Sequence, residues 1–191
     1  MVLRLLMTGV LLIQPPLLAA QTKSGYPPVV ELPGALSRIP SPDGRWTLIF
    51  ECPKDCGERR LSIEDSGSHT RRLIGEYERS LSVSWAPDGH LFFVNDAHAS
   101  NETLSYVYDP LTLKVTDLAK LLVAGDPSAA QFLGVGHSYL QVRRWVSSRE
   151  LLLVLFGHFD EPPLSGFTLL YRIALDGHVH KISQLAREKS E

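Results

Sequence analysis

The stretch SPDGRWTLIF, residues 41–50, is written again almost unchanged as APDGHLFFV at residues 86–94. In both copies a Pro-Asp-Gly turn stands between strand-like runs. Pro42 and Pro87 preset φ at the first central position of a turn, Asp43 and Asp88 accept a bond from the backbone ahead, and Gly44 and Gly89 tolerate positive φ. LSVSW precedes the second turn and HLFFVND follows it, so each turn joins two antiparallel strands. The apolar runs WTLIF and LFFV are continuous, not alternating, which is the pattern of strands buried on both faces or of a buried helix, and the turn signals at both ends favour strands.

A third copy keeps the frame and loses the turn. RRWVSSRELLLVL, residues 143–155, sets Trp145 where Trp85 stands, Ser147-Ser148-Arg149 where Pro87-Asp88-Gly89 stand, and Leu151 where Leu91 stands. Trp46 holds that last position in the first copy. The second half of the unit repeats as well. RLSIED, LSYVYD and LLYRIALD end on or beside Asp65, Asp109 and Asp176, each opening a turn, and HTRRLI, LKVTDLAKL and VHKISQL follow as fourth strands. The spacing therefore predicts an all-β chain of three four-stranded antiparallel meanders, at about 35–77, 79–122 and 137–185. Four short strands in about 45 residues is the size of one propeller blade. Between the second and third units, AGDPSAAQFLGVG is an extra connection with room for one helical turn near 126–132, capped by Asp126.

The order SW-A-PDG-HLFFV…LSYVYD resembles the TolB-type, WD-like β-propeller repeat, whose blades carry a Trp-x-Pro-Asp-Gly turn and a later Tyr-x-x-Asp strand end. The resemblance spans nearly all of 35–185 and is strongest at 82–94, fair at 41–50 and weakest in the third unit. It implies a fold more than an activity: such repeats occur in periplasmic translocation accessory proteins, in propeller domains of prolyl-oligopeptidase-like enzymes and in many binding proteins. Propellers usually close with about four to eight blades, so three units make an incomplete propeller with two end faces expected to be apolar. A homodimer completing a six-bladed ring, an open wedge, or pairing of the amino-terminal VVEL along a terminal edge would each cover them.

The rest of the chain sets the compartment. Residues 1–20, MVLRLLMTGVLLIQPPLLAA, carry one cation, an apolar stretch and a small-residue end, the plan of a secretory signal peptide. Gln14 and Pro15-Pro16 interrupt a segment already short of the roughly 20 apolar residues a span needs, which argues against the rival reading, an uncleaved anchor; after cleavage no stable membrane insertion is expected. Residues 21–34 form an extended Pro-rich lead-in, 35–185 the propeller-type domain and 186–191 a charged tail. Export, to a periplasmic or extracellular destination, suits a disulfide between Cys52 and Cys56 at the tip of a hairpin. A net charge of −2 and a pI near 6.4 argue against a general affinity for nucleic acid.

Candidate chemistry is sparse. Gly136-His137-Ser138 looks like part of a nucleophile elbow, but Leu140 stands where the elbow needs a small residue and a strand follows where it needs a helix. A partial or degenerate serine hydrolase using Ser138 is thus the rival of a non-catalytic reading. His178 and His180 share a strand face, and Asp160-Glu161 sit in a loop, yet neither pair has a full ligand set or a calcium-loop pattern. Trp46, Trp85 and Trp145 recur at fixed places in the repeat and so read as packing between blades; exposed, they would suit carbohydrate stacking. Asn101-Glu102-Thr103 satisfies the glycosylation sequon. No catalytic, cofactor or metal residues are assigned. The reading is an exported binding or scaffolding module that takes a protein or peptide through propeller-rim loops.

Overall fold

The computed structural model describes residues 25–52, 59–160 and 166–187. A short strand β1 (Val30–Leu32) precedes the first meander, β2 (Arg38–Pro40), β3 (Trp46–Glu51), β4 (Arg59–Asp65) and β5 (Arg71–Tyr77), hydrogen-bonded in chain order as a separate four-stranded sheet. The second meander is β6 (Leu81–Trp85), β7 (Phe92–Ala99), β8 (Glu102–Tyr108) and β9 (Val115–Asp117). The third is β10 (His137–Ser147), β11 (Glu150–His158), β12 (Gly166–Ala174) and β13 (Val179–Arg187). The described residues are all-β apart from the connection between the second and third meanders.

Side-chain alternation explains why the runs are continuously apolar. On β7, Phe92 and Val94 point into one core with Leu48, Phe50, Leu61 and Ile63 of the first meander. Phe93, between them, points the other way into a second core with Leu153, Leu155, Leu169 and Tyr171 of the third. The middle leaf is therefore buried on both faces, each large side chain contributing about 1.5–3 kcal/mol of burial. This is face-to-face stacking of leaves.

The interfaces carry a repeated polar clasp. Trp85, at the end of β6, donates its indole N–H to the Ile39 carbonyl of β2 at 3.0 Å. Trp145 of β10 does the same to the Ser84 carbonyl of β6 at 3.2 Å. Ile39 and Ser84 occupy the same place in their units, three residues before each Pro-Asp-Gly turn.

The arrangement departs from three independent meanders in four respects. The expected fourth strand LKVTDLAKL is paired only over β9, after which a helix α1 (Leu118–Gly125) begins. Asp117 ends the strand because its carboxylate caps the helix, accepting from the backbone of Ala119 and Lys120, while Leu118 and Leu122 recur at helical spacing on the buried side. A 3₁₀ helix (Pro127–Phe132) follows, its first turn capped by Asp126. Second, the long β10 bridges to β8 in parallel through Ser138 with Glu102 and Tyr139 with Thr103, so the second and third meanders share one sheet. Third, β1 adds to the free edge of β6, Val30 opposite Val83 and Leu32 opposite Leu81.

The fourth departure concerns the end faces. Register places Thr47, Glu64 and Arg71 in one row of the first meander and Glu51, Arg60 and Glu76 in another. The outward face consequently holds ion pairs: Arg38–Glu64 at 2.8 Å, Arg71–Glu51 at 2.6 Å and Arg60–Glu76 at 3.0 Å. That end is laced with charge around Ile49 and an exposed Leu73. The outward face of the third meander is more apolar: Leu152, a buried Val154 and Phe156 of β11 lie there with Leu170 and an exposed Ile182, beside the Glu150–Arg172 ion pair.

Candidate functional site: the turn-bearing rim

In a meander the first and third connections fall at the same end, so one rim collects six repeated turns. Gly44 and Gly89 both have left-handed φ, 72° and 76°. Gly44 N–H closes on the Ser41 carbonyl and Gly89 N–H on the Ala86 carbonyl, each at 2.9 Å. Asp43 accepts from the Arg45 N–H and Asp88 from the His90 N–H. Pro42 and Pro87 hold the first central position of the two turns. The two turns also touch. A Cβ on Gly89 would stand 2.7 Å from Asp43 Oδ1, so glycine is needed there for the approach as well as for φ.

The third-to-fourth strand loops are equally matched. Asp65 accepts from the backbone of Gly67 and Ser68, both at 2.9 Å, and Asp109 from Leu111 and Thr112. Four residues on, His69 and Leu113 adopt left-handed φ of 55° and 57°. The N–H bond from Ser68 leads the causes that hold the Asp65 carboxyl below its ordinary range. At Asp109 burial pushes upward, but the bonds from Leu111 and Thr112 outweigh it and the carboxyl again lies low. In the third unit Asp176 accepts from the His178 N–H.

These loops enclose two adjoining clefts. One, of about 280 Å³, is lined by Asp43, Arg45, Trp46, His90, Asp109 and Arg149 among others. The second, about 250 Å³, shares Leu91, Asp109 and Arg149 and adds Lys114 and Thr116. Leu111 stands 57% exposed at the lip. The Arg45 and Arg72 guanidiniums lie 5.0 and 5.5 Å from the Trp46 ring, and Arg72 reaches across to the carbonyls of Pro110 and Leu111. The rim is thus a rigid set of turns carrying both charge signs around an apolar lip.

The other residues singled out by sequence take structural places. Ser138 is 4% exposed; its hydroxyl donates to the Phe132 carbonyl at 2.8 Å and its N–H to the Asn101 carbonyl. All three tryptophans are buried. His178 is paired with Asp176, and His180 lies opposite Arg172 across β12–β13. Asn101 donates its side-chain amide to the Gly136 carbonyl, and Thr103 of the same sequon is buried. Cys52 packs against the first core, while Cys56 lies outside the described residues, as do Glu161 and the signal segment 1–20. Among the described residues no helix is long and apolar enough to cross a membrane.

Sequence reading missed Asn95. Its side-chain nitrogen donates to Ser82 Oγ and the Val142 carbonyl, and its oxygen accepts from the Val142 N–H at 2.9 Å. The Ser105 hydroxyl lies 2.7 Å from both Asn95 Oδ1 and the Leu140 carbonyl. The side chain acts as a length of backbone joining β7 to β10. Its signal was present: a lone amide ending the otherwise apolar run LFFVN. A cleft of about 320 Å³ opens beside it, lined in part by Glu31, Thr103, Gln141 and Arg143.

No protein-family model matches the chain, and no curated protein does. Solved structures do. The β-propeller domain of the trilobed protease from Pyrococcus furiosus, described as having an open velcro topology, aligns with a TM-score of 0.50 at 13% identity over 78% of this chain. The chain spans 43% of that domain's length. An acylaminoacyl peptidase of Pyrococcus horikoshii aligns with a TM-score of 0.43 at 14% identity, over 76% of this chain and 23% of that one. TolB of Acinetobacter baumannii aligns with a TM-score of 0.39 at 13% identity, over 81% and 44% respectively. The protease-domain likeness shows the fold: a β-propeller-type stack of leaves, in agreement with the TolB-type wording of the repeat.

Proposed function

We propose that this chain is a non-catalytic binding module that takes a segment of protein or peptide across the turn-bearing rim. The observation that carries this reading is the convergence of the matched turns on two clefts sharing Asp109 and Arg149, with Leu111 exposed at the lip. Loops fixed on a rigid scaffold are the usual place for such a surface. Charges of both signs beside an apolar lip suit an extended segment with an apolar anchor and flanking charges. Export after removal of residues 1–20, and a Cys52–Cys56 disulfide, belong to the same proposal.

The rival readings have less support. Ser138 is buried with its hydroxyl donated to a carbonyl, an unpromising position for a nucleophile. A carbohydrate platform needs an exposed indole, and the three here are covered. A homodimeric ring would press the charged outer face of the first meander against the more apolar face of the third, a mismatch that disfavours that closure.

Panning the full chain against a displayed random-peptide library tests the proposal. Selected peptides are expected to lose at least about tenfold in affinity with Arg149→Ala or Arg45→Ala, the size of one lost charged contact. Peptides that bind both rim variants as tightly as the natural chain would refute it.

A further inference from the structure

We infer that His137, His158 and Asp160 form a binding site for a divalent transition metal at the rim opposite the repeated turns. His137 lies 21 residues before His158 and Asp160 only two after it, and the β10–β11 register makes His137 and His158 direct cross-strand partners. Their imidazoles stack with centroids 4.2 Å apart. One donor atom from each of the three side chains lies within 4.8 Å of the others. Tetrahedral zinc with bonds of about 2.0–2.1 Å needs donors roughly 3.3 Å apart, so modest side-chain rotation closes the set.

Two features support the site from behind. Tyr139 donates its hydroxyl to the Ser100 carbonyl at 2.9 Å, which leaves its oxygen to accept the Nδ1–H of His137, also at 2.9 Å. That arrangement fixes the His137 tautomer with the Nε2 lone pair free, as metal-ligating histidines require. Phe159, between the other two ligands, packs against Phe132 and Phe167 in the core. Alternation along the strand end then sends His158 and Asp160 to the opposite side together. Gly136 completes the space: a Cβ there would stand 2.8 Å from Asp160 Oδ1.

Two imidazoles and one carboxylate suit zinc and its transition-metal neighbours, whereas calcium and magnesium prefer all-oxygen shells. Three protein ligands leave a fourth position for water or a partner's side chain. The site rests on different residues from the proposed peptide surface and stands or falls apart from it.

Titration of the tag-free, EDTA-treated full chain with Zn²⁺ against a chromophoric chelator tests the site. One equivalent is expected to bind, and Co²⁺ in its place should show the intense visible absorption of tetrahedral coordination. His158→Ala and Asp160→Asn, both on exposed side chains, should each weaken uptake at least about tenfold while circular dichroism stays unchanged. Tyr139→Phe should weaken it by a similar factor through loss of the orienting oxygen. His178→Ala and His180→Ala should leave it unchanged. Absence of stoichiometric uptake, or uptake indifferent to His158→Ala and Asp160→Asn, would overturn the assignment.

Discussion

Trp145 donates its indole N–H to the carbonyl of Ser84, one leaf away, at 3.2 Å. Trp85 makes the corresponding bond to Ile39. A buried carbonyl that loses such a donor is left without water to replace it, and that cost exceeds the net worth of the bond. Trp145→Phe and Trp85→Phe should therefore each destabilise the chain by about 2 kcal/mol, the lost bond plus part of the ring. Urea denaturation followed by circular dichroism measures this; a loss within about 0.5 kcal/mol, as at an uninvolved surface site, would deny the clasp.

Asn95 should be more costly. Asn95→Leu keeps the branched shape and the number of heavy atoms but leaves the Val142 N–H and carbonyl without their side-chain partner, while the Ser105 hydroxyl retains the Leu140 carbonyl. The expected loss is about 2–4 kcal/mol, against about 1 for Ser105→Ala. Equal effects in chemical denaturation would mean that the network does not hold β10 against β7.

His69 pays for a left-handed φ of 55° without a glycine. That conformation costs a non-glycine residue about 1–2 kcal/mol, while glycine loses about 0.5–1 kcal/mol more backbone freedom on folding. His69→Gly should then leave the melting temperature unchanged or raise it by a few degrees, contrary to the usual effect of glycine. A clear fall in a thermal scan would contradict the loop geometry.

How much of this was legible beforehand follows from the physics of each feature. Pro42-Asp43-Gly44 and Pro87-Asp88-Gly89 declare their turns because φ preference and side-chain capping act within a few residues. The two-faced burial of Phe92 and Phe93 was readable for the same reason, as an unbroken apolar run. The helix at Leu118–Gly125 was hidden because Asp117 can end a strand or cap a helix, and Lys114 to Leu121 fits either period over so short a run. The His137–His158 pairing could not be read, since two register shifts along the β10–β11 hairpin decide which of its residues face each other. The charged outer face of the first meander was masked likewise, because Arg38, Glu64 and Arg71 meet only once β2 to β5 align.

Acid should weaken the fold in a defined way. Asp65, Asp109 and Asp126 have folded-state values held below the ordinary carboxylate value, for Asp126 chiefly through the Ser128 hydroxyl. Their contribution is fully present above the unfolded value of about 3.9 and is lost as pH falls through the lowered ones. Asp96 runs oppositely: burial raises its carboxyl, so its ionisation opposes folding as pH rises past the unfolded value towards the raised one. Asp96→Asn should stabilise the chain at pH 7 and bring little gain near pH 3. A gain independent of pH would contradict the burial of that carboxylate.

The central claim is that the first two units stack so closely that their repeated turns touch, and a double-mutant cycle at Gly89 and Asp43 tests it most directly. Gly44→Ala meets open space and should cost only the left-handed φ, about 1–2 kcal/mol. Gly89→Ala should cost more, because its Cβ meets the Asp43 carboxylate. In an Asp43→Ala background that excess should shrink, a coupling of at least about 0.5 kcal/mol. Additive effects, with Gly89→Ala no worse than Gly44→Ala, would show that the two turns do not meet.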